Sequence, residues 1–329
     1  FSREASAKTI GMVLMHHGIF AFGASARESY ERMIALVARA EDYLKSHDAW
    51  DIPLRFPAAA QVASGQYILA LAALRRDISH AAGFHLVLTL SSDLMSLAYA
   101  RRPDLESLSQ RGPATPQHAV FTKRVPMLGR DVATFSAAYR RYLAEYAPEQ
   151  AERLPDTAPR IVLDPEWGLI SAGITVFYAD AAAEIYRHSM KIQSRAEALE
   201  AYASLPPREV LAAEIEYGGF EQTMRNQYDL AGQVALVDRA LTNQAKVLEL
   251  LAKGAAVIGL DGDPAVKALH SRPEYLGLCC SLNNPSEIQA ALEQSVRRYG
   301  GIDLLITDNP TLTAACEPLL ELSPVRKAT

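Results

Sequence analysis

A strand-turn-strand-helix pattern that occurs twice is the feature that most constrains how this chain folds. The first copy runs through Met12-Val-Leu-Met-His-His-Gly-Ile-Phe-Ala-Phe-Gly23, and an amphipathic helix over about Glu28 to Leu44 follows it. The second copy, Ile161-Val-Leu-Asp-Pro-Glu-Trp-Gly-Leu-Ile-Ser-Ala-Gly173, has one inserted residue and also precedes a helix. Gly168 then matches Gly18. The repeat predicts two equivalent layered α/β units with short, largely antiparallel strands covered by helices.

A histidine pair stands at the turn of the first copy. His17 precedes the turn glycine at the end of a predicted strand, where a ring nitrogen is well placed to bind a metal ion. The commoner alternative is a histidine whose ring is satisfied by the core or the turn. For His16 we favour packing over a place beside the metal. In the second copy Trp167, which cannot ligate a metal, replaces His17, so we interpret that copy as structural and expect His188 at the surface.

The first copy resembles the C-terminal part of the class II aldolase and adducin fold. The resemblance rests on VLMHHGIFAFG and on the helix ARESYERMIALVARAEDYL. It implies that His17 is the third zinc ligand, and that a His-x-His motif and a glutamate lie upstream of Phe1. No His-x-His occurs among the 329 residues. A catalytic zinc needs three protein ligands and an open position, so we expect no fully ligated zinc on this chain alone.

Two more segments extend the resemblance from about Ile10 to about Leu322. SQRGPATPQHAVFTKRVPML and EIYRHSMKIQSRAEALEAYASLPPREVLAAEIEYGGFEQ are similar to the middle of bifunctional proteins that join a rhamnulose-1-phosphate-type class II aldolase to a short-chain alcohol dehydrogenase. The resemblance implies cleavage of a sugar phosphate or sugar acid, NAD-linked oxidation, zinc and NAD as cofactors, and a homo-oligomer. It predicts the C-terminal part of an aldolase-like domain over 1–50, a degenerate second aldolase-like region over 66–222, and the N-terminal half of a Rossmann domain over 227–329.

The last third contains the start of a parallel Rossmann sheet, with Leu230–Val237 as its first predicted strand. Short-chain dehydrogenases follow this strand with a turn of the form T-G-x-x-x-G-x-G, whose glycines let the cofactor pyrophosphate approach backbone N–H groups. Here Arg239, Asn243 and Ala245 replace the three glycines, and Asp238 adds a negative charge. We expect positive φ angles to be costly at Arg239 and Ala245, and NAD binding to be lost.

The other positions that bind the cofactor in short-chain dehydrogenases match the family pattern only in part. Asp261 ends the second strand, Ala256–Asp261, where an acid binds the adenosine ribose in NAD-dependent enzymes; the alternative is a strand-end acid that faces solvent. Ser281 replaces an acid of the family, and Asp308-Asn309-Pro310 replaces its N-A-G motif. The family's catalytic serine and Tyr-x-x-x-Lys pair would follow Thr329, so we assign no hydride-transfer residue.

A Pro-Gly loop offers one further candidate site. Arg111, Thr115 and Lys123 surround it and could bind a phosphate, although a solvated loop is the more common arrangement. Ser91-Ser92-Asp93 is interpreted as a helix N-cap, since a side-chain oxygen there accepts a hydrogen bond from a free backbone N–H.

Composition excludes several classes of protein. With 49 % hydrophobic and 22 % charged residues the chain has the make-up of a soluble globular protein, and its net charge of -5 provides no basic surface for nucleic acid or an anionic membrane. No apolar run approaches the roughly 18 to 20 residues that span a bilayer. Three cysteines do not form a disulfide framework. We expect a cytoplasmic protein.

Two hypotheses of function remain open at this stage. The chain is a portion of a metal-dependent aldolase joined to a dehydrogenase-like module, not competent for either step as it stands. Alternatively, it is a non-catalytic remnant that serves as structure or as an assembly surface. Whether it is an enzyme is left undecided by the sequence, and zinc content separates the two hypotheses.

Overall fold

The structure is a computed structural model that describes residues 3–6, 8–53, 64–147 and 155–324. It has the predicted mixed α/β architecture, with one two-stranded and two four-stranded sheets in these ranges. The first unit is a β-hairpin, β1 (Gly11–Leu14) and β2 (Gly18–Ala21), followed by helix α1 (Ala26–Ser46). No side chain of α1 is buried. The sequence also predicts connectors rich in proline and polar residues over 46–65 and 147–159, and part of each lies outside the described residues.

The second unit contains the largest antiparallel sheet. Its elements are α2 (Ser64–Ala82), β3 (Val87–Ser91), α3 (Leu94–Ala100), α4 (Leu105–Ser109), α5 (Pro116–Thr122), β4 (Met127–Leu128), α6 (Val132–Tyr146), β5 (Ile161–Asp164), β6 (Gly168–Gly173), α7 (Val176–Leu199), α8 (Pro207–Tyr217) and α9 (Phe220–Gln227). The strand order is β3-β6-β5-β4, and only the short β4 runs parallel to its neighbour. The strands β5 and β6 are completely buried because helices cover them.

The two predicted copies have the same strand register. In the first hairpin Gly11 pairs with Ala21, and at the equivalent positions of the second hairpin Ile161 pairs with Ser171. The prediction of one inserted residue is therefore wrong. The apparent insertion follows from beginning the first strand at Met12, whereas the strand begins one residue earlier, at Gly11.

Glycine has the same role in both copies at the point where the second strand leads into the helix. A Cβ on Gly23 would lie 2.5 Å from the backbone nitrogen of Ser29, and a Cβ on Gly173 would lie 2.3 Å from that of Ala179. Only glycine permits such a close approach of strand end and helix. The matching constraint supports duplication of one supersecondary unit.

The third region is a parallel sheet with the strand order β10-β7-β8-β9. Its elements are β7 (Val234–Val237), α10 (Gln244–Ala252), β8 (Ala256–Asp261), a 3₁₀ turn (Pro264–Ala268), β9 (Tyr275–Cys279), α11 (Pro285–Tyr299), β10 (Leu304–Ile306) and α12 (Pro310–Leu320). After β7 the chain adds β8 and β9 on one side of the sheet, and it then returns to add β10 on the other side of β7. Doubly wound folds form their ligand crevice between two strands at such a reversal.

A buried ion pair joins the second unit to the parallel sheet. Arg75 of α2 is 1 % exposed, and its two terminal nitrogens donate to the carboxylate oxygens of Asp303 at 3.0 and 2.6 Å. Its Nε donates to the Leu86 carbonyl at 2.7 Å and one terminal nitrogen donates to the Gly232 carbonyl at 2.9 Å. One apolar cluster also contains core residues of both regions. These two regions therefore share a core.

No helix in the described ranges is both long enough and apolar enough to cross a membrane.

Candidate functional site

His17 lies in the turn of the first hairpin, between the end of β1 and the start of β2, and its side chain is exposed. Its ring stacks on Phe20 with 5.7 Å between the centroids. His16 beside it is half-buried and adopts a left-handed backbone conformation, with φ of 58°. The Nδ1 of His16 hydrogen-bonds with the Ala114 carbonyl at 3.0 Å, so this histidine attaches the hairpin to the second unit.

The described residues do not form a zinc site around His17. In the ranges that the structure covers, no group of three or more histidine, cysteine, aspartate or glutamate side chains is arranged to hold a metal ion. One exposed imidazole falls short of the ligand set that a structural or catalytic zinc requires. The role of His17 as a ligand stays a prediction.

The second copy of the turn is built around Trp167 instead of a histidine. Trp167 is 3 % exposed, and the Arg130 guanidinium lies 3.5 Å from the centroid of its ring. Arg130 also binds both carboxylate oxygens of Asp164, at 2.7 and 2.9 Å, and Asp164 accepts a hydrogen bond from the Trp167 backbone at 3.0 Å. This closed arrangement agrees with the structural interpretation. His188 is exposed, as expected, and stacks on His118.

The three residues of the candidate phosphate loop do not converge. Arg111 forms an ion pair with Glu197, and Thr115 caps α5 by accepting from the backbone of His118. Lys123 ends α5, is 5 % exposed and lies 2.9 Å from Asp156. The expectation of a solvated loop is therefore wrong for Lys123, because it is the start of a buried ionic cluster.

That buried ionic cluster contains two cations and two carboxylates in direct contact. Arg160 donates to Asp156 at 2.6 Å and to Glu221 at 2.8 and 2.7 Å, and Lys123 binds Asp156. Although burial raises the pKa of the Asp156 carboxyl, Arg160 and Lys123 together hold it well below its usual range. Buried charges are tolerated when they are paired in this way.

Glu214 on α8 is a fifth ionisable group beside the cluster. It is 4 % exposed and its Oε2 accepts a hydrogen bond from the Tyr139 hydroxyl at 2.5 Å, whereas its Oε1 has no partner among the described residues. Burial raises the pKa of Glu214 to about 7. Sequence reasoning missed the cluster, because Lys123, the segment over 156–160 and the helices with Glu214 and Glu221 are far apart in the sequence.

The turn that replaces the glycine-rich loop keeps one of its backbone features. Arg239 has φ of 47°, the left-handed conformation that favours glycine. Its guanidinium forms an ion pair with Asp308 at 2.5 Å, which connects the carboxyl ends of β7 and β10. Ala245 lies within α10 and is not among the described residues with positive φ, so the expectation of a strained Ala245 is wrong.

Two acids beside this turn accept hydrogen bonds from other parts of the protein. Asp238 is 1 % exposed and accepts a hydrogen bond from the Thr307 hydroxyl at 2.8 Å. Asp261 accepts hydrogen bonds from the backbone nitrogens of Leu241 and Asp263, both at 3.1 Å. The candidate ribose ligand thus stabilises the turn after β7.

The remaining two cofactor positions have local roles. The Ser281 backbone donates to Glu287 at 2.8 Å, and Asn309 caps α12 by accepting from Leu312 at 3.0 Å. Side chains and an ion pair therefore occupy the crevice edge where a pyrophosphate would approach the backbone.

Comparison with known proteins agrees with this architecture at a coarse level. Residues 66–223 match the family model "Aldolase class II, second domain". The chain is also 22 % identical over 344 aligned residues to the protein named "Uncharacterized oxidoreductase YuxG" of Bacillus subtilis (strain 168). The alignment covers 92 % of this chain and 49 % of that protein, so the chain spans about half the length of this curated relative. No solved structure matches the chain.

Proposed function

We propose that this chain is a segment of a class II aldolase and oxidoreductase fusion protein, and that its second aldolase-like unit and its parallel sheet act as a scaffold. In this proposal neither region performs aldol cleavage or hydride transfer by itself. The match to the second aldolase domain and the distant oxidoreductase relative support the fusion. The rhamnulose-type sugar phosphate stays the substrate class that the sequence resemblance implies.

The observation that carries the proposal is the ion pair between Arg239 and Asp308. This ion pair joins the carboxyl ends of β7 and β10, where the strand order reverses. In doubly wound folds a dinucleotide binds at that position. Arg239 also puts a long side chain at a left-handed position that dehydrogenases give to glycine. The buried Asp238 carboxylate lies beside it, and its negative charge opposes a pyrophosphate.

The scaffold role rests on the shared core. Arg75 is held by Asp303 and by two backbone carbonyls, which ties α2 of the second unit to the strands of the parallel sheet. Trp167 and Arg130 close the turn that corresponds to His17 in the first copy. The second unit therefore presents packed side chains where the first copy presents an exposed histidine.

Calorimetric titration with NAD and with NADP tests the proposal. The wild-type chain is expected to release no binding heat with either nucleotide, since lost hydrogen bonds to phosphate, each worth about 1.5 to 3 kcal/mol, lower the affinity by orders of magnitude. Far-ultraviolet circular dichroism of the same sample controls for folding. Micromolar binding by the folded chain would overturn the proposal.

A second candidate function is that of the aldolase portion itself, and the exposed ring of His17 favours it. In this alternative the hairpin contributes one ligand to a zinc site, and zinc would supply Lewis-acid chemistry there. Metal analysis separates the candidates when it is made on a purified longer protein that includes the His-x-His motif that the resemblance implies upstream. Close to one zinc per chain in the wild type, lost in His17→Ala but kept in His47→Ala, would favour the aldolase portion over the scaffold.

A further inference from the structure

A cavity of about 1170 Å³ lies between the segment that follows α1, the end of α3 and the second half of α7, and none of its lining residues belongs to the turn after β7. Its apolar wall includes Met95, Ala98, Tyr99 and Met190. Tyr99 is 4 % exposed and its ring packs edge-on against another buried tyrosine, so this wall is fixed by the core. A volume of this order is sufficient for a small organic molecule.

Two cations of α7, one helical turn apart, also line the cavity. Lys191 and Arg195 are separated by one helical turn, and like charges at this spacing destabilise a helix. In the described ranges neither side chain has a carboxylate within ion-pair distance. Arg102 also lines the cavity, but both oxygens of Asp104 bind it, at 2.9 and 2.7 Å. Neither cation of α7 is therefore neutralised by a direct ion pair among the described residues.

Trp50 holds the Arg195 guanidinium in place. The guanidinium carbon lies 3.6 Å from the centroid of the Trp50 ring, and the Arg195 Nε donates to the Trp50 carbonyl at 3.0 Å. Lys45 also lies over this ring, 5.4 Å from its centroid. Stacking on an aromatic face restricts the guanidinium, so less conformational freedom is lost when its remaining N–H groups bind a ligand.

We propose that this cavity binds a small organic anion. Arg195 and Lys191 bind its phosphate or carboxylate group, and its apolar part lies on the wall formed by Met95, Ala98 and Met190. A planar guanidinium suits the paired oxygens of either group. Asp48 and Asp51 also line the cavity and limit its net positive charge, which favours one anionic group over a polyanion.

Titration of the full chain with four probes tests this proposal. Phenyl phosphate and phenylacetate each combine a ring with one anionic group, inorganic phosphate lacks the ring, and benzyl alcohol lacks the charge. We expect one of the two aromatic anions to bind, and which one binds identifies the anionic group. The two remaining probes are expected to bind at least about tenfold more weakly, because each lacks one of the two interactions.

Three variants assign the binding to the cavity. Arg195→Gln is expected to weaken the aromatic anion at least about tenfold, the effect of losing a charge-assisted hydrogen bond. Lys191→Gln removes an exposed cation without disturbing Trp50, and it should also weaken binding. Arg141→Gln, on an exposed face of α6 outside the cavity, is the matched control and should leave the affinity unchanged.

Several results would overturn the proposal. The first is the absence of binding by both aromatic anions up to about 10 mM, the range in which even weak binding is measurable. The second is an affinity that Lys191→Gln and Arg195→Gln both leave unchanged. The third is equal binding of benzyl alcohol, which would show that the cations do not contribute.

Discussion

Replacing Glu214 by glutamine is expected to change how the stability of this protein depends on pH. The buried Glu214 carboxyl has a pKa of about 7, against 4.5 for the same group in water. Lys123 and Arg160 are already balanced by Asp156 and Glu221, so an ionised Glu214 would add a buried negative charge without a partner. The native state therefore retains a proton that the unfolded chain releases.

The sign of the effect follows from this difference in proton affinity. The stabilisation from protonated Glu214 is complete below pH 4.5 and is lost as the pH rises through about 7. The difference in pKa corresponds to about 3 kcal/mol at 1.36 kcal/mol per unit. Glutamine cannot ionise and keeps an acceptor for the Tyr139 hydroxyl. The free energy of unfolding of Glu214→Gln, relative to wild type, should thus rise by about 3 kcal/mol between pH 4.5 and pH 8.

Urea unfolding at a series of pH values, followed by circular dichroism, measures this difference. Any constant cost of burying the amide shifts both ends of the comparison equally, so the slope with pH is the decisive quantity. Glu216→Gln on the exposed face of the same helix is the matched control and should show no such slope. Parallel pH profiles for wild type and Glu214→Gln would refute the reasoning.

Two further substitutions test the shared core. Arg75→Met leaves Asp303 as a buried charge without its cation and should lower the free energy of unfolding by about 3 to 5 kcal/mol in urea, whereas Arg76→Met at the half-exposed neighbouring position should cost less than about 0.5 kcal/mol. Gly232 has φ of 77°, and Gly232→Ala would place a Cβ 2.0 Å from the backbone oxygen of His85. We therefore expect the free energy of unfolding to fall by more than about 1 kcal/mol, seen as a lower melting temperature. Gly219→Ala, where nothing lies within 4 Å, should leave that temperature nearly unchanged. If the two variants of either pair lowered the stability by the same amount, the result would contradict the packing described here.

The repeated unit was predictable because its determinants are local in sequence. Gly23 and Gly173 permit the same close contact between strand end and helix, and the strands around them are short apolar runs. The parallel sheet was recognisable for the same reason, since β7 and β8 are buried on both faces and read as continuous apolar segments. The one-residue error in register came from an end of a strand, where local pattern is weakest.

The tertiary charge pairs were not predictable from the sequence. Arg75 stands in the polar run Arg75-Arg76-Asp77, and only the fold buries the first of these residues while it leaves the other two partly exposed. Lys123 and Glu214 interact electrostatically although their helices are distant in the chain. The strain expected at Ala245 was wrong because the helix begins before that residue. Long-range packing decided each of these cases.

The central claim is that the second aldolase-like unit and the parallel sheet form one structural unit. Differential scanning calorimetry tests this claim most directly, because a shared core makes both regions unfold together. The account predicts a single transition for these two regions, with a calorimetric enthalpy equal to the van't Hoff enthalpy, and a lower melting temperature for the whole transition in Arg75→Met. Two separate transitions, with only one of them shifted by Arg75→Met, would contradict it.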